Sequence, residues 1–248
     1  MTTASDFSNR SSPPPGRFNR ALLRLFMKHA QVTDVETIAE GFRLITLESP
    51  GFKGLDWIAG QKVQISMGSA FVARTFTPIE WDARAGQTRI LGYAHGSGPG
   101  SAWVEATTRG DECDVFGPRA SLNVGSIADR CVVLGDETSI GLAYALSRQG
   151  PESQLPSLFE VNSVTSAHEV LARLDLNGAE LFERAQNGTH LEDIERRLPV
   201  LAAGGATFVL TGKASSIQRL RRTLSALGVP ASRLVAKPYW APGKTGLD

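Results

Sequence analysis

The chain has 248 residues, a formal net charge of +1 and a hydrophobic fraction of 42%, which together suit a globular protein of two domains. The near-neutral charge argues against nucleic acid as a partner, and no apolar run is long enough to cross a membrane. Four scattered histidines and two cysteines form no metal-binding pattern. We predict a cytoplasmic, monomeric protein without nucleic-acid, membrane or metal partners.

The first half of the chain has the pattern of an all-β domain preceded by a tail. Residues 1–17 are rich in Ser, Thr and Pro and are predicted to be disordered, and apolar residues at helical spacing predict a short helix at about 18–28. Short alternating runs separated by turns predict strands at 32–38, 42–47, 62–67, 88–94 and 112–116. Strands at this spacing indicate an antiparallel barrel or sandwich over residues 18–124.

The second half changes to short buried strands that alternate with helices. Apolar runs predict strands at 131–134, 158–161, 207–210 and 234–239. Helical spacing predicts helices at 138–148, 167–174, 191–198 and 216–227. This alternation is typical of a doubly wound parallel α/β sheet, here over residues 125–248. Such sheets bind ligands at the carboxyl ends of their strands, so a ligand could lie between the two halves.

An extended stretch at residues 74–78, with the sequence Arg-Thr-Phe-Thr-Pro, combines groups that suit a flat phosphorylated cofactor. Arg74 can bind a phosphate through two hydrogen bonds. Phe76 offers a flat face for a flavin ring, and Thr77 offers a hydroxyl near a ring nitrogen. A plain strand end with an exposed arginine would fit the same residues.

A glycine-rich turn follows the strand that is predicted to end at Ala94. Residues 95–103 have the sequence His-Gly-Ser-Gly-Pro-Gly-Ser-Ala-Trp. The glycines let backbone N–H groups approach a phosphate, and Ser101 is suited to cap the helix that follows. The turn is not a dinucleotide fingerprint, because Ser101 stands where the third glycine would be. A flexible turn without a ligand is the alternative interpretation.

Two further segments suit a nucleotide site. Residues 135–139, Gly-Asp-Glu-Thr-Ser, end the first parallel strand and place a helix N-terminus where a nucleotide would bind, although ordinary helix capping is by itself the simpler interpretation. Near the end of the sequence, the adjacent Tyr239 and Trp240 could cover a flat cofactor or seal the core.

Taken in order, these motifs resemble the siderophore-interacting protein family, a branch of the ferredoxin–NADP reductase-like flavoproteins. The resemblance extends from about residue 31 to residue 243 and includes Phe-Gly-Pro-Arg at 116–119. It implies an N-terminal antiparallel Greek-key β-barrel that binds FAD, followed by an NAD(P)H-binding-like α/β domain. It also implies NADH or NADPH as electron donor and a ferric siderophore as acceptor, with release of ferrous iron.

The resemblance also implies roles for individual residues. Arg74 would meet the FAD phosphates, while Phe76, in place of the family's usual Tyr, and Thr77 would contact the flavin as the candidate catalytic residues. The candidate cofactor contacts are Arg74, Thr75, Phe76, Thr77, Tyr93, His95, Gly98, Gly100, Ser101, Ala102, Asp136, Thr138, Tyr239 and Trp240. Basic side chains near the flavin would attract an anionic iron complex, and the candidates are Lys213, Lys237, Lys244 and Arg119.

Two departures from the family pattern fall on the nicotinamide side. Residues 211–213, Thr-Gly-Lys, replace the family's Ala-Gly-Glu, and residues 139–141, Ser-Ile-Gly, replace its small apolar and proline residues. Through Ile140 and Lys213 they leave open a non-catalytic flavin- or siderophore-binding module. A flavin reductase that serves another acceptor, such as a redox protein or free flavin, is a separate alternative. The residues after the second parallel strand are Asn162 and Ser163. Neither is an acid or an arginine, so this position does not distinguish NADH from NADPH.

Overall fold

The computed structural model describes residues 26–67, 73–96, 98–122, 124, 131–149 and 154–244. The predicted disordered tail at 1–17 lies outside these residues, as does most of the predicted helix at 18–28. The end of that helix was predicted wrongly, because Lys28 begins the first β-strand. In the part of the chain that the structure describes, no helix is both long and apolar enough to span a bilayer.

Seven antiparallel strands form the first sheet. They are β1 (Lys28–Ala39), β2 (Phe42–Glu48), β3 (Lys62–Ser66), β4 (Ala73–Phe76), β5 (Pro78–Asp82), β6 (Gln87–Tyr93) and β7 (Glu112–Arg119). Their spatial order is β4-β3-β7-β1-β2-β6-β5. The outer strands β4 and β5 are consecutive in the chain and joined by Thr77 alone, so the sheet curls until its edges adjoin. All seven strands contribute side chains to one apolar core that includes the fully buried Phe52, which confirms the predicted antiparallel β half.

One short helix, α1 (Pro99–Ala106), lies between β6 and β7 in the chain. It packs on strand β6 so closely that a Cβ added to Gly92 would lie 2.8 Å from Cγ2 of Val104. Only glycine fits at this position without displacing the helix. The segment that contains the predicted glycine turn is therefore held against the sheet.

Five parallel strands form the second sheet. They are β8 (Cys131–Asp136), β9 (Gln154–Val161), β10 (Asn177–Glu183), β11 (Thr207–Lys213) and β12 (Leu234–Trp240), in the order β10-β9-β8-β11-β12. The helices that follow β8 to β11 are α2 (Ile140–Ser147), α3 (Val164–Arg173), α4 (Thr189–Ala203) and α5 (Ala214–Ala226). Helices α2 and α3 pack on the face that meets the first sheet, and α4 and α5 pack on the other. The predicted doubly wound parallel sheet is confirmed.

Strands β5 and β10 were not predicted from the sequence, and β4 was predicted only as an extended stretch at 74–78. Both β5 and β10 lie at the edge of a sheet. Strand β10 leaves most of its side chains exposed or half-buried, so it lacks the apolar run that marks a buried strand. Strand β5 begins with Pro78, a residue that sheets accept mainly at edges and strand starts.

The two sheets share an apolar core. Phe42 and Ile79 of the first sheet pack into the cluster that also contains Leu142 and Phe159 of the second half. A Cβ added to Gly141 would lie 2.8 Å from Cγ2 of Ile79, so helix α2 contacts strand β5 directly. The two halves therefore pack against each other. Their predicted boundaries, residues 18–124 and 125–248, stay a prediction.

Candidate functional site

A cavity of about 250 Å³ lies where the two sheets meet, beside the carboxyl ends of β8 and β12. The predicted contact residues that line it are Arg74, Thr75, Phe76, Thr77, Tyr93, His95, Gly98, Gly100, Ser101, Thr138, Tyr239 and Trp240, together with Lys237 and Lys244. The lining residues that were not predicted are Leu91, Pro99, Ser121, Gly141 and Pro238. Among the described residues, the predicted candidates Ala102, Asp136, Lys213 and Arg119 do not line it.

The two segments predicted to hold phosphate adjoin each other in the cavity wall. Arg74 lies on strand β4, opposite Ile65 of β3, and its Nη1 donates to the carbonyl of Ala73 over 2.8 Å. A Cβ added to Gly100 would lie 3.4 Å from Cγ of Arg74. The aliphatic stem of the arginine therefore passes against the glycine turn, and its guanidinium and the turn's backbone share one side of the cavity.

The N-terminus of helix α1 faces this space. The residue that caps the helix is Gly98 and not Ser101, so the predicted cap was wrong. Ser101 lies within the helix, and its Oγ accepts a hydrogen bond of 2.9 Å from the backbone N–H of His95. The first N–H groups of a helix have no partner within the helix and favour a negative charge. This turn is suited to bind a phosphate.

Aromatic rings form another part of the cavity wall. The ring of His95 lies 5.8 Å from that of Tyr93 and 5.2 Å from that of Trp240, measured between centroids. Burial lowers the pKa of His95, which keeps its ring neutral around pH 7, and burial raises the pKa of Tyr239 to about 12. An uncharged aromatic wall of this kind suits a flat ring system.

The hydroxyls of Thr77 and Tyr239 connect the two halves at the cavity. Their oxygen atoms are 3.5 Å apart, although the residues are separated by more than half of the chain. Thr77 is the single residue between the two edge strands of the first sheet, and Tyr239 is on strand β12. A ligand in the cavity would therefore meet both halves of the molecule at once.

Asp136 is completely buried behind the cavity wall, where it binds three of its neighbours. Its Oδ1 accepts from the backbone N–H of Thr138 over 2.9 Å, and its Oδ2 accepts from the N–H of Lys213 and the indole of Trp240, each over 2.8 Å. Burial raises the pKa of this carboxyl to about 6. Asp136 thus orders the wall and has no direct access to the cavity.

A buried ion pair that the sequence did not reveal lies next to Asp136. Arg184 donates to Glu137 through two nitrogens, over 3.0 and 2.7 Å, and the hydroxyl of Tyr93 donates to the same carboxylate over 3.2 Å. Burial and the hydrogen bond to Glu137 hold Tyr93 in the wall. Arg184 directly follows β10, and because that strand was not predicted, the arginine's position at the carboxyl edge was missed.

The two departures from the family pattern contact each other. The hydroxyl of Thr211 donates to that of Ser139 over 2.8 Å, and both side chains are buried. Ser139 Oγ also accepts from the N–H of Asp136 over 3.3 Å. Each of these two buried hydroxyls therefore has a hydrogen-bond partner.

Substituting Ser139 and Thr211 together should lower the free energy of unfolding by less than the sum of the two single substitutions. We expect Ser139→Ala and Thr211→Val to lower the free energy of unfolding by about 1 kcal/mol each, because each leaves a buried hydroxyl without its partner. The pair should show a coupling energy of about 1 kcal/mol in a double-mutant cycle. Urea unfolding of the four proteins measures it, and strictly additive losses would show that the hydroxyls do not interact.

The predicted basic residues are divided between two places. Lys237 and Lys244 line the cavity, and Nζ of Lys213 lies 5.8 Å from the centroid of the Trp240 ring. Arg119 is elsewhere, because its guanidinium donates to Gln64 over 2.7 Å and lies 4.3 Å above the ring of Phe116. Two lysines thus line the cavity, and a third lies against the ring of Trp240.

Family models match both halves of the chain. Residues 57–122 match the siderophore-interacting FAD-binding domain, and residues 128–243 match the siderophore-interacting protein model. The chain belongs to the siderophore-interacting protein family. Its cofactor is FAD, and the recognised FAD-binding segment contains Arg74, the glycine turn and helix α1.

Solved structures share the fold of this siderophore-interacting protein. A siderophore utilization protein from T. fusca is 22% identical, with 90% of this chain and 95% of the other covered and a TM-score of 0.70. The siderophore-interacting protein SipS from Aeromonas hydrophila is also 22% identical, with 88% and 92% covered and a TM-score of 0.71. Phthalate dioxygenase reductase is 13% identical, with 89% and 70% covered and a TM-score of 0.70. No curated protein has a significantly similar sequence.

The cavity residues fit FAD. A Cβ added to Gly98 would meet no atom within 4 Å, so the described residues leave open space beside the turn. Arg74 supplies a cation beside this turn, and Phe76 and the neutral aromatic wall supply flat apolar surface. Phosphate binding and ring packing, the two requirements of a flavin dinucleotide, are thus met on adjacent sides of one cavity.

Proposed function

We propose that this protein is an FAD-dependent reductase that passes electrons from NADH or NADPH to a ferric siderophore and releases ferrous iron. The observation that supports the proposal most is the convergence of Arg74, helix α1 and the pair Tyr239–Trp240 on one cavity between the two sheets. The carboxyl ends of the parallel strands, where α/β sheets bind nucleotides, lie beside it.

Each wall of the cavity would have a separate task. Arg74 and the first-turn N–H groups of α1 would hold the FAD pyrophosphate, as charge-assisted donors. Phe76 would pack on the flavin ring, and the hydroxyl of Thr77 would hydrogen-bond its edge. The chain would then bind and orient FAD, its electron donor and its acceptor, because bound FAD itself supplies the conversion from two-electron to one-electron transfer.

The lysines at the cavity favour an electron acceptor that is negatively charged. Lys237 and Lys244 line the cavity, and Lys213 lies against Trp240. Positive charge around a cleft concentrates and orients negatively charged ligands, and many ferric siderophore complexes are anionic. The reduction of iron itself needs no side-chain acid or base, so the role of these lysines would be to bind the ferric complex.

The non-catalytic module considered from the sequence is the third candidate. It depends on the departures at Ile140 and Lys213, which suggested a degraded nicotinamide site. The hydrogen bond between Ser139 and Thr211 concerns the packing of the second sheet and does not bear on that site. A reductase that serves another acceptor remains the second candidate.

Three measurements on the purified protein test the proposal in sequence. An absorbance spectrum with flavin bands establishes FAD, and anaerobic stopped-flow bleaching with NADH and then NADPH identifies the donor. Reoxidation by a ferric siderophore, followed with a ferrous chelator, should then yield two Fe(II) for each NAD(P)H oxidised. Bleaching without reoxidation by any ferric siderophore would favour the second candidate, and a protein that neither donor bleaches would refute the reductase.

A further inference from the structure

The helix that carries the glycine turn is too short to be stable by itself. Helix α1 has eight residues, and isolated helices of that length do not persist in water. Its N-cap residue is Gly98, which has no side chain that could cap the first turn. The position of the turn in the cavity wall therefore depends on contacts made elsewhere along the helix.

Arg43, on strand β2, binds the carboxyl end of this helix. Its Nη1 lies 2.8 Å from the carbonyl oxygen of Val104, 2.7 Å from that of Glu105 and 2.9 Å from that of Thr107. One guanidinium nitrogen carries two hydrogens, so the three carbonyls share them. The last carbonyls of a helix lack partners within it and carry partial negative charge, which a cation at this end stabilises.

The strand pairing explains why Arg43 reaches the helix. Arg43 lies opposite Gly92 in the antiparallel pair of β2 and β6, and the side chains of opposed residues project from the same face of a sheet. Helix α1 packs on that face through Val104, at the position where Gly92 has no side chain. Gly92 thus leaves room for the helix, and Arg43 beside it binds the end.

The other end of the helix faces the cavity. The stem of Arg74 lies beside Gly100, and the N–H of His95 donates to Ser101, so the first turn borders the cavity. A hydrogen-bonded helix of two turns moves as a unit, so a shift at the carboxyl end would displace this turn too. Arg43 itself does not line the cavity within the described part of the chain.

We propose that Arg43 is a positioning residue for the FAD pyrophosphate, which acts through helix α1 without touching the cofactor. The inference rests on the proposed function, because it requires that the turn at residues 98–101 binds the pyrophosphate. It differs from a general contribution to stability, since the loss on substitution should be confined to the phosphate-bearing part of the ligand. Riboflavin, which has the ring system of FAD but no phosphate, separates the two roles.

The test compares three variants of the full chain. Arg43→Met keeps the length of the stem, Arg43→Lys keeps the charge, and Arg84→Met removes an exposed arginine in the turn between β5 and β6 as the matched control. Titration of each apoprotein with FAD and with riboflavin, followed by flavin fluorescence, gives two dissociation constants per protein. Circular dichroism verifies that each variant is folded.

We expect Arg43→Met to weaken FAD binding roughly tenfold, which corresponds to about 1.4 kcal/mol, and riboflavin binding less than about twofold. Arg43→Lys should recover part of the loss, because a single ammonium cannot reproduce the planar donor geometry of guanidinium. Arg84→Met should match the wild type.

Equal weakening of FAD and riboflavin by Arg43→Met would overturn the proposal, as would an unchanged dissociation constant for FAD. If Arg43→Met fails to fold, Arg43→Lys decides, because it must still weaken FAD more than riboflavin. A wild-type protein that binds riboflavin but not FAD, or neither flavin, would instead refute the proposed function before any variant is compared.

Discussion

Arg74→Met should bind FAD about a hundredfold more weakly than the wild type and be purified with little or no yellow colour. The arginine is the cation of the cavity wall that adjoins the glycine turn. Two charge-assisted hydrogen bonds to a phosphate, each worth about 1.5 to 3 kcal/mol, would be lost with it. Arg74→Lys should fall between the two, since lysine keeps the charge but not the paired donors.

Fluorescence titration of the apoproteins measures this effect, with Arg109→Met as the control for loss of an exposed arginine. Riboflavin should bind Arg74→Met and the wild type alike, because the ring system does not depend on the phosphate contact. An FAD dissociation constant within threefold of the wild type would mean that Arg74 does not hold the phosphates, and the glycine turn would have to do so without it.

Gly212→Ala should strongly destabilise the second sheet. Gly212 has φ of +97°, and a Cβ there would lie 2.4 Å from Oδ2 of Asp136. Alanine would be strained by this backbone conformation and would also displace a buried carboxylate from the N–H groups of Lys213 and Trp240. We expect a loss of about 4 kcal/mol in the free energy of unfolding from strain, overpacking and broken hydrogen bonds together.

Gly228→Ala is the matched control for this prediction. Gly228 has φ of +81°, and a Cβ there would meet no atom within 4 Å, so only backbone strain of about 1 kcal/mol applies. Urea unfolding of both variants isolates the clash with Asp136 as the difference between them. Similar losses for the two variants would show that Asp136 relaxes without cost. A larger loss for Gly212→Ala should also be accompanied by a changed Trp240 fluorescence.

The sequence pattern predicted the two sheets because both have strong periodicity in their central strands. Buried strands such as β8 are continuous apolar runs, and the central antiparallel strands alternate in polarity. Edge strands β5 and β10 lack these signals, since each buries only part of its surface. The glycine-rich turn and the stretch around Arg74 were singled out because they occur in the order of a family pattern, although each alone also fits an ordinary turn or strand end.

The supporting residues of the site could not be predicted in the same way. Arg43 is separated from its helix partners by more than 60 positions, and in the sequence it has the pattern of a solvent-facing residue on a strand. Glu137 and Arg184 form a pair only because β8 and β10 end at the same edge of the sheet. Conversely, Ala102 and Arg119 belong to predicted motifs, but the local course of helix α1 and strand β7 directs them away from the cavity.

The apolar core shared by the two sheets limits how this protein can be modified. Phe42 and Ile79 are buried against residues of the second half, so a fragment that ended near residue 122 would present these side chains to water and tend to aggregate. The flavin half is therefore not an interchangeable module. In a chimera with a foreign nucleotide domain, that domain would need a helix that packs on strand β5 as closely as helix α2 does at Gly141.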